Sequence, residues 1–337
     1  MALVRMEDPL LWFAHPSTVR SLAFLPLFLC GFVPLGTTAQ SVAPAGIASA
    51  GGHGTASSAM FSWTLGQVSD ATSTGTSTII TAGIQQPEVI WARLNARVFL
   101  GGPYNTGTGL MNDDLRTGAL VPASEPYTAA GSVQHGQGGG EQVAPATLAV
   151  SGPDAIVDWV FVELRSASTP QQVLSTRCAL VQRDGDVVDN DGTSPVRLSA
   201  VPGNYHVAIH HRNHLPVMTL NPMALSSAAV AIDFSNGSTA TYGTDAQKQT
   251  GAVRQLWPGD ATTNKQVKYT GSGNDRDPIL VAVGSTTPNN VLAGQYDSED
   301  VNMDGSVKYT GSANDRDPIL VTVGSTTPNN VRSAQIP

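Results

Sequence analysis

The sequence predicts a mainly β protein: an antiparallel β-sandwich followed by a small C-terminal pair of loop-and-helix units. Three observations carry this. Charged residues are only 13% of the chain, while Gly and Pro number 34 and 22. Such a composition favours short strands joined by turns over exposed helices, which draw on Glu and Lys. Between 147 and 240, β-prone apolar runs alternate with Gly, Pro and Asp turns and no helical period intervenes. Finally, the segment VKYTGSGNDRDPILVAVGSTTPNN (267–290) recurs at 307–330, differing only at Gly273/Ala313 and Ala282/Thr322.

Along the chain, Arg20 precedes an apolar run, Ser21 to Leu35, which ends in the small residues Gly36-Thr37-Thr38-Ala39. This is the pattern of a signal peptide (1–39) cleaved after Ala39, and it predicts a secreted, extracellular or cell-surface protein. Pro26 and Pro34 interrupt the run, which falls short of the about 20 apolar residues of a membrane span, so the mature form is expected to have none. Cys30 leaves with the signal, and Cys178 alone builds no disulfide framework. The net charge of −8 argues against nucleic acid, whose phosphates demand a basic face. It suits a protein that recruits divalent cations.

Residues 40–90 form a Ser/Thr/Gly-rich lead segment, with one or two weak strands around Met60–Leu65. The β-sandwich region is 91–240. Its first strand shows Leu94, Ala96, Val98 and Leu100 alternating against Arg93, Asn95 and Arg97. Ile156–Arg165 is its most β-prone strand, with Trp159 and Phe161 on one face and buried together. Val173–Gln182, Val196–Ala200 and Tyr205–His210 follow. Residues 241–258 read as a linker, and 259–337 hold the tandem repeat.

The repeat carries the metal chemistry. Asp300, Asn302 and Asp304 stand at positions 1, 3 and 5 of a loop with Gly305 at 6 and Val307 at 8, the opening of an EF-hand calcium loop. A hard cation takes six or more oxygens, and alternate residues of a curling loop turn theirs inward. Ser306 would give its backbone carbonyl. Position 12 is Gly311, so the loop is read as lengthened, with Asp315 as the shifted last ligand. Asp317-Pro318-Ile319-Leu320 then starts a short helix, acidic cap first, and Gly324 ends it. In the first copy Asp260, Thr262, Asn264 and Asp275 hold the matching places. Lys265 stands where its twin has Gly305, so this loop is expected to bind more weakly or only to hold its shape.

Two such units in tandem, with Asp300, Asn302, Asp304 and Gly305 carrying the match over about 259–330, resemble the dockerin fold of bacterial extracellular proteins. That resemblance implies paired calcium loops, each before a short helix, and a docking or terminus-stabilising role. The series IVDWVFVELR (156–165), ALVQRDGDVVDNDG (179–192) and HRNHL (211–215) is similar to a module of secreted Bacteroidota-type surface proteins, which implies no enzymatic activity.

Other clusters have plainer readings. Asp184, Asp186, Asp189 and Asp191 crowd one loop: a further calcium site, or two acidic turns whose side chains bond their own backbone. His206 and His210 would share a strand face roughly 13 Å apart at 3.3 Å per residue, too far for one metal. His211 and His214 could meet in the following turn, as a zinc pair or a hydrogen-bonded turn with Arg212 and Asn213. Asp158, Glu163 and Arg165 are a possible catalytic set or, more simply, partners of Arg212 or Arg177. The glycine-rich 131–141 lacks the strand-to-helix context of a phosphate loop, and no nucleophile elbow or HExxH motif occurs. The expected function is a calcium-stabilised, non-catalytic structural or adhesive protein, bound to a surface glycan or protein or assembled with its own copies into an oligomer or fibre. The alternatives are a docking module for a cohesin-like partner, and a carbohydrate-active or metal-dependent extracellular enzyme.

Overall fold

The computed structural model describes residues 91–337. Of the preceding stretch it describes the backbone of two antiparallel pairs, Ala50–Ala56 with Ala59–Leu65 and Thr72–Thr74 with Ile79–Thr81. The expected cleavage site after Ala39 lies outside the described residues.

Nine strands make the main sheet: β1 (Trp91–Arg97), β2 (Ile156–Ser166), β3 (Val173–Gln182), β4 (Asp186–Val188), β5 (Val196–Ser199), β6 (Gly203–His211), β7 (His214–Met218), β8 (Met223–Leu225) and β9 (Val230–Asp233). The protein is mainly β and its pairing is antiparallel, apart from β9, which runs parallel to β1. Hydrogen bonding is continuous in the order β5-β1-β4-β3-β2-β6-β7, with β8 on β6 and β9 on β1. In β1, Ala92, Leu94 and Ala96 are buried and the alternate residues are not, so the period-two pattern reports a half-covered strand. β2 is buried from Ile156 to Arg165. A strand with both faces covered shows a continuous apolar run, which is why it read most clearly.

Trp159 and Phe161 are both buried, under a cover formed by the segment that precedes β2. The Trp159 indole N–H donates to the Pro122 carbonyl at 2.9 Å. Tyr127 stacks obliquely on Phe161, ring centroids 5.4 Å apart, and its hydroxyl donates to the Trp159 carbonyl. Trp159 and Tyr127 thus bury their rings while their polar tips are bonded.

The stretch 241–258 is built into the fold rather than hanging between parts. A hairpin pairs Lys248–Thr250 with Val253–Gln255. Leu256 is fully buried, donating to the Phe99 carbonyl and accepting from Gly101. Its mixed run of Thr, Gln and Gly hides a hairpin too short to show a period.

In the repeat, the helices run Arg276–Ala282 and Arg316–Val323, the second closed by Gly324 at φ 108°, the left-handed cap that glycine favours. Their starts differ from expectation. Asp317 lies inside the helix, and Asn314 does the capping: it accepts from the Asp317 N–H at 2.9 Å and donates to the Asp317 carboxylate. Asp315 does not cap because its carboxylate faces the loop. The two copies exchange strands. Gln266–Lys268 of the first pairs with Val331–Ser333 after the second helix, and Val291–Ala293 after the first helix pairs with Ser306–Lys308. Thr270 donates to Asn329, and Thr310 reciprocally to Asn289, each at 2.8 Å.

Sheet and repeat interlock. Leu215 of β7 packs in the repeat core with Val267, Ile279, Val307 and Ile319, while Met303 of the second loop packs in the sheet core. The Gly101-Gly102 turn lies against the Val301 carbonyl so closely that a Cβ at Gly102 would overlap it.

Candidate metal centre

The loops are built by backbone amides converging on two aspartates per copy. In the second, Asp300 accepts from the N–H groups of Asp304 (3.1 Å) and Gly305 (2.9 Å). Asp315, fifteen positions on in the chain, folds back to accept from Val301 (2.8 Å) and Asn302 (3.2 Å), and from Lys308 (2.8 Å). The first copy repeats this: Asp260 accepts from Asn264 and Lys265, and Asp275 from Thr262 and Lys268. So Asp300, Asn302, Asp304 and Asp315 come together in one loop, as do Asp260, Thr262, Asn264 and Asp275 in the other. Asn302 Nδ2 lies 3.4 Å from Asp304, and Ser306 donates its N–H to Asp304 at 2.9 Å.

The copies differ around this frame. Met303 and Gly305 take positive φ (62° and 78°), and so do Thr263 and Lys265 (56° and 66°). Gly305 adopts that region freely; a β-branched Thr and a Lys do not. Thr263, Asn264 and Lys265 are exposed, whereas Met303 and Gly305 are buried. In the second loop the Lys308 ammonium sits on Asp304 at 3.0 Å; position 5 of the first loop is the neutral Asn264.

Asp260, Asp275, Asp300 and Asp315 are buried, three of them at 0% exposure and Asp260 at 4%. Among the described residues no Lys, Arg or His makes an ion pair with any of them. Burial pushes Asp300, Asp315 and Asp260 up to about 7, with the second carboxylate of each pair adding to it in Asp315 and Asp260. Asp275 is raised by burial too. Paired buried carboxylates with carboxamide and carbonyl oxygens beside them are a hard-cation donor set. In the second loop that set is Asp300, Asn302, Asp304 and Asp315, with the Lys308 ammonium on Asp304.

The remaining clusters resolve as structural pairs. Asp158 is fully buried and accepts from Arg212 Nε (3.0 Å), His211 Nε2 (3.1 Å) and the Tyr296 hydroxyl (2.5 Å). Burial would push it up; Arg212, then His211 and Tyr296, outweigh this and hold it at about 2. Glu163 contacts Arg165 (2.7 Å) and His210 (2.9 Å) and is likewise held at about 2 against its burial. Arg177 pairs instead with Glu141 and Asp189. Asp189 also takes Arg197, and Asp191 accepts from Thr193 and Ser194, so the 184–191 loop is a set of acidic turns around one buried ion pair. His211 and His214 meet, Nδ1 to Nδ1 at 3.0 Å. His214 Nε2 accepts from the Gly102 N–H, and its Nδ1 also meets Asn213 Oδ1 at 2.8 Å, so the pair is set in a hydrogen-bonded turn.

Two features escaped the sequence. The His211–Asn213 turn ties the sheet to both loops: Asn213 donates to the Ser298 and Asp300 carbonyls, and its own carbonyl accepts from Gly259 and Asp260. Arg212 stacks on Tyr296 at 4.4 Å. The second is Glu125, Glu141 and Cys178, whose ligand atoms lie within 4.8 Å of one another. Glu125 accepts from Tyr127, Thr128 and Gly140, and Glu141 from Gly139 and Arg177. Comparison with known proteins finds no matching family model, no matching curated protein and no matching solved structure.

Proposed function

We propose that this is a secreted or cell-surface protein of structural or adhesive function, non-catalytic, in which a β-sandwich is braced by a dockerin-like, calcium-binding tandem. One observation carries the reading: four buried carboxylates in two pairs, none of them in an ion pair with a Lys, Arg or His among the described residues. A buried charge is retained only when something compensates it, and a divalent cation at each pair does so. Asp158 and Glu163, the buried acids of β2, support the non-catalytic part, because each is held by an arginine and a histidine. The test is thermal melting with calcium and with EDTA. Calcium at a hundredfold excess over its dissociation constant adds about 2.7 kcal/mol; identical curves in both would sink the proposal. Binding to glycan and protein surfaces in calcium would then identify the ligand.

The second reading, a docking module for a cohesin-like partner, is favoured by exposed valines at equivalent places in the two copies: Val281 and Val321 on the helices, Val291 and Val331 on the exchanged strands. A partner captured from the secreted fraction and lost on substituting Val281 and Val321 by Asp would favour it.

A further inference from the structure

Cys178 is fully buried at mid-strand in β3, opposite Phe161 of β2. Its thiol donates to Glu125 Oε2 at 3.2 Å. The carboxamide of Gln134 comes down on it from the glycine-rich segment, with Nε2 3.6 Å from the sulfur. Thr176, two residues earlier and so on the same face of β3, donates its hydroxyl to Gln134 Oε1 at 2.8 Å. The His135 N–H donates to that same hydroxyl oxygen at 2.9 Å. Gly138 lies so close to β3 that a Cβ there would overlap the Thr176 carbonyl, which gives the glycines of 131–141 a purpose: they let the loop lie flat on the strand and deliver Gln134.

A nucleophile, a base, a carbonyl and a donor to its oxygen are thus assembled in one place. A buried thiol that only filled space would need none of them. We propose that Cys178 and Gln134 condense to an intramolecular thioester. Sulfur bonds to Cδ of Gln134, the Cδ–Nε2 bond breaks, and the thiol proton passes by way of Glu125 to the departing nitrogen, which leaves as ammonia. Nothing is oxidised or reduced. Thr176 stabilises the negative oxygen of the tetrahedral adduct. Thr128, exposed and 3.1 Å from Nε2, marks the way out for ammonia.

The local electrostatics describe the resting pair. Burial works against the Glu125 carboxylate, but hydrogen bonds from Thr128 and Gly140 carry it below its ordinary value, so it is ionised. Burial, with Glu141 and Glu125 beside it, pushes the Cys178 thiol well up, so the proton rests on sulfur and its transfer belongs to the condensation step. The thioester in turn acylates a primary amine, forming an amide and returning the Cys178 thiol. This goes beyond the adhesive reading, to covalent capture of an amine-bearing surface, and is independent of calcium.

The test is mass spectrometry of the full chain with peptide mapping of Gln134 and Cys178. The expected wild type is one ammonia lighter than its processed sequence, and iodoacetamide does not label Cys178 after denaturation. Methylamine treatment adds methylamine at Gln134 and restores a labelled thiol. Cys178→Ala and Gln134→Ala abolish the mass loss, with melting curves to show that both fold. A wild type of full mass with Cys178 quantitatively alkylated overturns the proposal. So does an ammonia loss that survives Cys178→Ala and disappears in Thr176→Val, which would assign an ester to Thr176.

Discussion

The sheet and the repeat both bury carboxylates, and they treat them in opposite ways. Asp158 and Glu163 face Arg212, His211, Arg165 and His210 and sit at about 2. Asp260, Asp300 and Asp315 face backbone amides and each other and sit at about 7. Burial is nearly complete in both regions, so desolvation does not distinguish them; the supply of positive charge does. The sheet meets Asp158 and Glu163 with arginine and histidine, and the repeat meets its buried acids with backbone amides.

The largest effect should come from making the sheet resemble the repeat. Arg212→Met leaves Asp158 buried with less compensation and is expected to cost about 3–5 kcal/mol, read from denaturant unfolding in calcium at neutral pH. It also removes the stack on Tyr296, so the loss should include loosening of the second loop. Next is Asp300→Asn, which makes the repeat resemble a neutral turn. In EDTA the variant should be no less stable than wild type, because a desolvated charge is gone. In calcium it should lack most of the about 2.7 kcal/mol gain expected at hundredfold excess.

The pH dependences should run in opposite directions. The depressed acids of the sheet contribute stability that is present above their unfolded values near 4 and lost as pH falls through about 2. The raised acids of the repeat, in EDTA, contribute stability that is present below about 4 and lost as pH rises through about 7. Between about pH 4 and 8, hydrogen-exchange protection in the repeat, corrected for intrinsic rates, should fall in EDTA and hold in calcium. The core strands β2 and β3 should change little in either. Falling protection in both regions alike would erase the comparison. The smallest effect concerns the two copies: Lys265→Gly relieves a positive-φ lysine worth about 1 kcal/mol and should raise calcium affinity at the first loop. Calorimetry showing no change there would mean that Asn264, not Lys265, limits that loop.

What could be read from the sequence was local. The Asx spacing of the loop, the Gly305 turn, the return of Asp315 onto its loop and the Gly324 helix end all lie within one copy. The alternation in β1 and the apolar run of β2 announce their burial directly. What could not be read is carried across distance: Tyr296 meets Asp158 138 residues away, and Gln134 meets Cys178 44 residues away. Neither pair has a spacing that periodicity can reveal. Asn314 lost its capping role to Asp317 in the sequence reading because an acidic residue before proline is the stronger local signal, and only the loop geometry shows that Asp315 is engaged elsewhere.

The exchange of strands between the copies has a consequence for number. Each copy leaves one edge open and closes one edge of the other, so the duplication is a balanced account of two, with no remainder. A single copy would expose both a short loop strand and the Thr270 or Thr310 hydroxyl that its twin now occupies. A chain cut to one copy has an obvious way to recover its partner: a second molecule cut the same way.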